Sequence, residues 1–507
     1  MIKYEQLGTS ESSPQPKNKY SSKANILIFL LFLVLGITVW TTIPSLLYLE
    51  NTTDIIEHSD QIPIQETFST TPTTSAPLST SIEKPIPPMS KSRKVVAAYF
   101  TSWSIYARAY NVVDMDATKL THILYAFANL KPDGEVFLGD AWADTDKHFD
   151  GDSWNDEKKN LYGNFKQLGL LKKRNRNLKV TLSIGGWTWS THFPTVAANP
   201  DTRKKFITSS INLLKDLGLD GLDVDWEYPK NEEDAKNYVK LLKELRKALD
   251  NYSQSRNLSY KFLLTAAMPC GEDQYRKMDL KKMNKYLDIF YLMAYDFRGS
   301  WSSKTGHQSN LYGVDLSTDK AVRYYIDQGV DNDKIVIGMP MYGRAFQNTN
   351  GLDSPYNGIG EGTWEQGVYD YKTLPRTGSI EYFDDKKVAC YGYCASKKEF
   401  ITYDNPQVVY QKTDYIKRND LRGVMFWEIS GDFPTSNERS LLLAAYHGLG
   451  GKDALDQTSN HCFFPDTERY IINYAFSSSN NSLNDDMTST SFFTSKKPNN
   501  STNVLVV

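Results

Sequence analysis

Cysteine and histidine are scarce, with 4 and 7 residues in a chain of 507. A disulfide-dense scaffold is thereby excluded. No histidine pair and no matched set of cysteines stands at metal-ligand spacing. Excess charge is also lacking: the formal net charge is −2, which argues against nucleic acid or anionic lipid as the main partner. No internal repeat is visible, so a solenoid or propeller array is set aside. The four cysteines are Cys270, Cys390, Cys394 and Cys462. The C-x3-C spacing of Cys390 and Cys394 can close a small loop, and a disulfide is the expectation preferred there over zinc.

Charge is missing altogether between Lys23 and Glu50, and Ile26 to Trp40 is almost purely aliphatic. Such a window is long enough to cross a bilayer as a helix. Lys17, Lys19 and Lys23 precede it and Glu50, Asp54 and Glu57 follow, so the N-terminal tail is expected to stay cytoplasmic. A cleaved signal peptide fits less well, because the n-region is long and no Ala-x-Ala site follows. The expected organisation is a tail over 1–23, a signal-anchor over 24–49 and a Ser/Thr/Pro-rich stalk over 50–93. A globular domain then spans 94–450, and a Ser/Thr/Asn-rich tail, largely disordered, spans 451–507. This arrangement predicts a single-pass type II membrane protein with the globular part outside the cytoplasm. Sequons at Asn51, Asn251, Asn257, Asn480, Asn499 and Asn500 agree with that side of the membrane.

Aromatic residues are plentiful, with 10 Trp and 32 Tyr. Most must be core, but the excess hints at a flat ligand such as a carbohydrate. Within the globular part, short apolar runs alternate with helical patterns. Strands are predicted at Val95–Phe100, His122–Phe127, Lys179–Ile184, Gly221–Asp225, Phe262–Ala267, Ile289–Met293, Ile335–Met339 and Gly423–Trp427. Helix-like stretches such as Asp234–Leu249 and Thr318–Gln328 separate them. Eight strands with crossovers describe an α/β fold, a (β/α)8 barrel. The seventh and eighth strands stand too far apart for one helix, and 342–403 is expected to be a small α+β insertion.

The fourth strand carries the chemistry: Asp220-Gly-Leu-Asp223-Val-Asp225-Trp-Glu227-Tyr-Pro229. Strand side chains alternate between faces, so Asp223, Asp225 and Glu227 point one way and Leu222, Val224 and Trp226 the other. Asp220 lies near the strand's start. Like charges side by side repel, so at least one of the three holds a proton near neutral pH. A carboxylic acid kept protonated is a general acid. A solvated acidic edge strand is disfavoured by the amphipathic helix and glycine cap just before it, and a divalent-cation site by the missing loop glycine pattern. Other strand ends are just as rich. Tyr99 and Phe100 end the first strand, Ser183-Ile-Gly-Gly186-Trp187 the third, and Met293-Ala-Tyr295-Asp296 the sixth. Tyr342-Gly-Arg344 follows the seventh strand, and Phe426-Trp427-Glu428 ends the eighth. Barrel chemistry sits at this end of the strands.

From Lys94 to Gly448 these motifs resemble the chitinases of glycoside hydrolase family 18. The resemblance implies no metal or cofactor and a substrate of chitin or chito-oligosaccharides. Glu227 would be the general acid, with the substrate's acetamido group as nucleophile and overall retention. Asp225 would hold the acetamido N–H, Asp223 would share a proton with Asp225, and Tyr295 would bind the acetamido oxygen. Trp427 would floor the distorted sugar. Asp296 and Arg344 would contact its polar groups, and Tyr99 and Ser183 would support the aspartates. Trp103, Trp187 and Trp301 would be stacking platforms, with Gly186, Tyr228 and Met293 completing the substrate contacts. Rival readings are an endo-β-N-acetylglucosaminidase acting on N-glycans and a chitin-binding lectin on an inactive barrel. The intact acid disfavours the lectin.

Overall fold

The computed structural model describes residues 94–467, apart from 153 and 155–159. The expected cytoplasmic tail, anchor and stalk lie outside the described residues. Among the described residues, no helix is long and apolar enough to cross a membrane.

The first barrel strand, β1 (Val95–Thr101), is buried along its whole length, as parallel strands covered on both faces must be. Its side chains divide by parity. Val95, Ala97 and Tyr99 join an inner cluster, while Val96, Ala98 and Phe100 join the larger outer core. β2 (His122–Leu130), the short antiparallel β3 (Val136–Leu138), β4 (Lys179–Gly185), β5 (Gly221–Asp225), β6 (Leu263–Pro269), β7 (Ile289–Met293) and β8 (Ile335–Pro340) follow. After an insertion, the last barrel strand is β14 (Gly423–Trp427). Neighbours run β1-β14-β8-β7-β6-β5-β4-β2, and pairing of β1 with β2 closes the ring. The eight predicted strands are therefore the eight barrel strands.

Helices end where their sequences stop them. The helix Pro200–Leu217 starts at Asn199, whose side chain accepts from the backbone N–H groups of Asp201 and Thr202. It stops at Gly218 in the left-handed conformation, φ 70°. Three residues later, at Gly221, the chain enters β5.

The insertion is a five-stranded antiparallel sheet in the order β10-β9-β13-β12-β11. Its strands are β9 (Tyr342–Phe346), β10 (Val368–Asp370), β11 (Ile380–Asp384), β12 (Ala389–Cys394) and β13 (Glu399–Tyr403). One short 3-10 turn, Tyr371–Thr373, interrupts them.

Two expectations change. Cys390 and Cys394 begin and end one stretch of β12, and all four cysteines are free thiols. Four residues of extended chain separate the pair by about 13 Å, well beyond the roughly 7 Å a disulfide spans. The expected disulfide is thus replaced by two buried thiols. The compositional tail also begins later than Gly450, because 455–467 packs beneath the barrel. Asn460 Nδ2 donates to the carbonyls of Lys172 and Leu178 at 2.9 and 2.8 Å, and Phe464 is fully buried. Polar backbone contacts hold this strap, and hydropathy patterns do not register them.

Asp220 belongs to that lower end. Its carboxylate accepts from Val180 N–H, Tyr260 Oη and His461 N–H, and pairs with Lys172 Nζ at 2.7 Å. It anchors the strap and stands apart from the other three acids. A cavity of about 1000 Å³ opens on the same side, lined by His122, Lys179, Leu263, Ile289, Arg422 and Asp456 among others. All of these but Asp456, which belongs to the strap, lie at or just before strand starts, and none of the three upper carboxylates lines the cavity.

Candidate active site

At the other end of β5 the acids rise in sequence. Asp223 is fully buried. It accepts from Tyr99 Oη at 3.1 Å, Ser183 Oγ at 2.7 Å and Thr265 Oγ1 at 2.6 Å. Burial raises its pKa, and those three hydroxyls pull it part of the way back. β-Sheet register explains two of the partners, since Ser183 of β4 and Thr265 of β6 both stand opposite Asp223.

Asp225 is 3% exposed, and its Oδ1 has no hydrogen-bond partner. Burial first, then the charges of Glu227 and Asp223, drive its pKa well above the carboxylate range. Glu227 stands two residues past the strand, half-buried. Burial pushes its pKa up to about 7, opposed by hydrogen bonding from the Tyr228 hydroxyl and the Trp187 backbone N–H. Near neutral pH this carboxyl is divided between its protonated and ionised forms, as a general acid requires.

Backbone geometry brings the neighbouring corner close. Gly185, at φ 112°, would place a Cβ 2.3 Å from the Asp225 carbonyl oxygen. At Gly186, φ 80°, a Cβ would meet the Phe127 ring at 2.8 Å. Only glycine tolerates both the conformation and the contact.

Aromatic rings line the inner rim. Trp427 lies 5.7 Å from Phe127, stacked, and 5.1 Å from Tyr99. Trp103 meets Phe127 at 6.2 Å, and Met293 packs half-buried on the same cluster. Tyr228 lies in the field of the carboxylates: Glu227 and Asp225 raise its pKa after burial does, with a further contribution from Tyr295. Trp187 is half-buried beside Gly186.

The insertion sheet supplies the last wall. Tyr342 Oη and Arg344 Nε donate to Asp296 Oδ1 at 2.5 and 2.6 Å. Burial opposes ionisation of Asp296, but Arg344 holds its pKa well below the usual carboxylate range. Asp296 adopts φ 60°, a left-handed conformation that costs a non-glycine residue about 1–3 kcal/mol and collects at functional sites. Arg344 lies 4.7 Å over the half-exposed Trp301 ring, and its Nη2 has no hydrogen-bond acceptor.

The candidates named from the sequence thus gather at one rim, and only Asp220 of the acidic run falls elsewhere. Thr265 and Phe127 were not among those candidates. Thr265 could have been found only from the register of β6 against β5, and nothing in the local sequence marks Phe127.

A buried carboxylate ladder at the C-terminal mouth of a (β/α)8 barrel, with the pKa of one carboxyl pushed up to about 7, is an arrangement suited to glycosidic hydrolysis. The chain belongs to glycosyl hydrolases family 18, whose model matches residues 95–432. Over 379 residues it is 47% identical to Chitinase 1 of Aphanocladium album, covering 73% of this chain and 88% of that one. It is 46% identical to Endochitinase 1 of Metarhizium robertsii, covering 74% and 89%. The catalytic domain of psychrophilic chitinase B from Arthrobacter TAD20 superposes with a TM-score of 0.67 at 30% identity, covering 73% of this chain and 98% of that domain.

Proposed function

We propose that this enzyme is a chitinase that hydrolyses β-1,4-linked N-acetylglucosamine polymers with retention, using the substrate's acetamido group as nucleophile. One observation carries the reading. The buried Asp225 oxygen has no protein donor, and a buried acceptor left unsatisfied is costly. An acetamido N–H from the substrate would satisfy it while leaving the carbonyl oxygen aimed at the anomeric carbon. Glu227 protonates the departing glycosidic oxygen and then activates water for the second step. Tyr295 orients the acetamido oxygen, and Asp223 takes a share of the Asp225 proton as charge develops. The relatives named above as chitinases support the substrate class, and the five-stranded insertion supports the family branch in which such a domain deepens the groove. Product analysis on a chitin oligomer series, with the anomer recorded at early times, tests the proposal. β-Anomeric products are expected. Initial α-anomers, or oligomers left intact while an N-glycoprotein is cleaved, would refute it.

We further propose that the uncharged window over 24–49 tethers the enzyme as a type II membrane protein, acting on chitin near the surface that bears it. The flanking charges of Lys17, Lys19 and Lys23 against Glu50, Asp54 and Glu57 support that orientation. Fractionation of the native protein should find it in membranes. Recovery solely as a soluble form starting near residue 45 would end this reading.

A further inference from the structure

β5 ends at Asp225, so the strand ladder holds the chain only up to two residues before Glu227. The acid is held instead by a turn contributed by the preceding barrel strand. Ser190, 6% exposed, is its centre. Its Oγ accepts the Glu227 backbone N–H at 2.9 Å. The same hydroxyl faces two carbonyl oxygens, Gly186 at 2.9 Å and Asp225 at 3.2 Å, to which it can donate. Gly186 N–H closes the ring by donating to the Asp225 carbonyl at 2.8 Å. A serine hydroxyl has one proton and two lone pairs: a lone pair takes the Glu227 N–H, and the single proton goes to one carbonyl or is shared between the two. Alanine would supply none of it and would leave the Glu227 N–H unpaired.

We propose that Ser190 is a positioning residue for the acid: its hydroxyl fixes the Glu227 backbone against the Gly186 turn and so sets the distance from the Glu227 carboxyl to Asp225. The turn acts on both ends of the residue. Ser190 holds the main chain, while the Trp187 N–H in the same turn hydrogen-bonds the carboxylate. A carboxyl clamped at both ends is kept desolvated and in one orientation. Released at its backbone end, it would swing toward solvent and ionise more readily. The inference rests on the reading of Glu227 as the acid given above.

The test compares full-length wild type with Ser190→Ala, Ser190→Thr and Ser190→Cys on N-acetylglucosamine oligomers, with Glu227→Gln in parallel. Displacing a reacting group by a fraction of an ångström is expected to lower kcat by about tenfold or more in Ser190→Ala, with KM changed by less than about twofold. Because the carboxyl becomes better solvated, the alkaline limb of its pH–kcat profile is expected at lower pH than in wild type. Ser190→Thr keeps the hydroxyl and should restore both rate and limb. Ser190→Cys keeps the volume with a poorer hydrogen-bonding group, and should show the same shift if the alanine variant does not fold. The inference is overturned if the Ala and Cys variants turn over normally with the wild-type alkaline limb. It is equally overturned if every variant, Thr included, loses activity in step with its melting temperature at an unchanged limb. If Glu227→Gln itself remains active, it is the acid assignment that fails, independently of the Ser190 result.

Discussion

Replacing Glu227 by Gln is expected to lower turnover of N-acetylglucosamine oligomers by at least about 10²-fold, the usual scale of general acid catalysis, while leaving binding largely intact. Gln keeps the shape and the hydrogen-bond reach of the carboxyl but cannot deliver a proton to the leaving oxygen. Half-buried at the rim, its amide still finds the Tyr228 hydroxyl and the Trp187 N–H. The loss should therefore fall on kcat. Wild-type pH dependence checks the same group. With its pKa pushed up to about 7, Glu227 is protonated below that pH and ionised above it. In the proposed mechanism the acid form protonates the leaving group, so kcat/KM should fall roughly tenfold per pH unit above about 7. Near-normal turnover by the Gln variant, or an alkaline limb that survives in it unchanged, would remove the assignment.

Asp225→Asn should be nearly as damaging, with kcat reduced by about 10²- to 10³-fold, the range for removing one preorganised electrostatic contact. Asp225 is buried between two other acids, and burial, Glu227 and Asp223 together keep its proton on. In the proposed mechanism the acetamido group attacks and its nitrogen becomes positive. Asp225 can answer by passing its proton to Asp223 and presenting a full negative charge to that nitrogen. Asn has the size but neither the charge nor the transferable proton. Binding of the uncharged ground state should survive, so KM should move far less than kcat. Steady-state kinetics on a defined oligomer would settle it, and equal losses in binding and turnover would count against the charge-stabilising role.

Much of this was readable from local pattern. Parity along Asp223-Val-Asp225-Trp-Glu227 put three acids on one face and Trp226 on the other, and Trp226 is indeed buried, stacked 5.3 Å from Phe193. The run of short apolar strands and amphipathic helices pointed to the barrel because a strand buried on both faces and a helix buried on one have different periods. Where pattern failed, the contacts were distant in sequence. Asp220 stands near the strand's start, outside the register of the other three acids, but pattern did not reveal that it reaches Lys172, Tyr260 and His461. The Cys390–Cys394 spacing looked like a loop, but the segment is a straight strand.

By itself, then, the sequence determined the barrel, the mouth at which its polar residues gather, and the order of the carboxylates, since all three follow from periodicity and strand order along the chain. Only the tertiary structure decided what surrounds each acid. Thr265 bonds Asp223 because β6 pairs in one register with β5, and Arg344 restrains Asp296 because the insertion sheet folds back over the rim. Ser190 reaches Glu227 across 37 residues of chain. Proton affinities depend on desolvation and on neighbours within a few ångströms, and those neighbours are assigned by chain closure in space, which local sequence spacing does not encode.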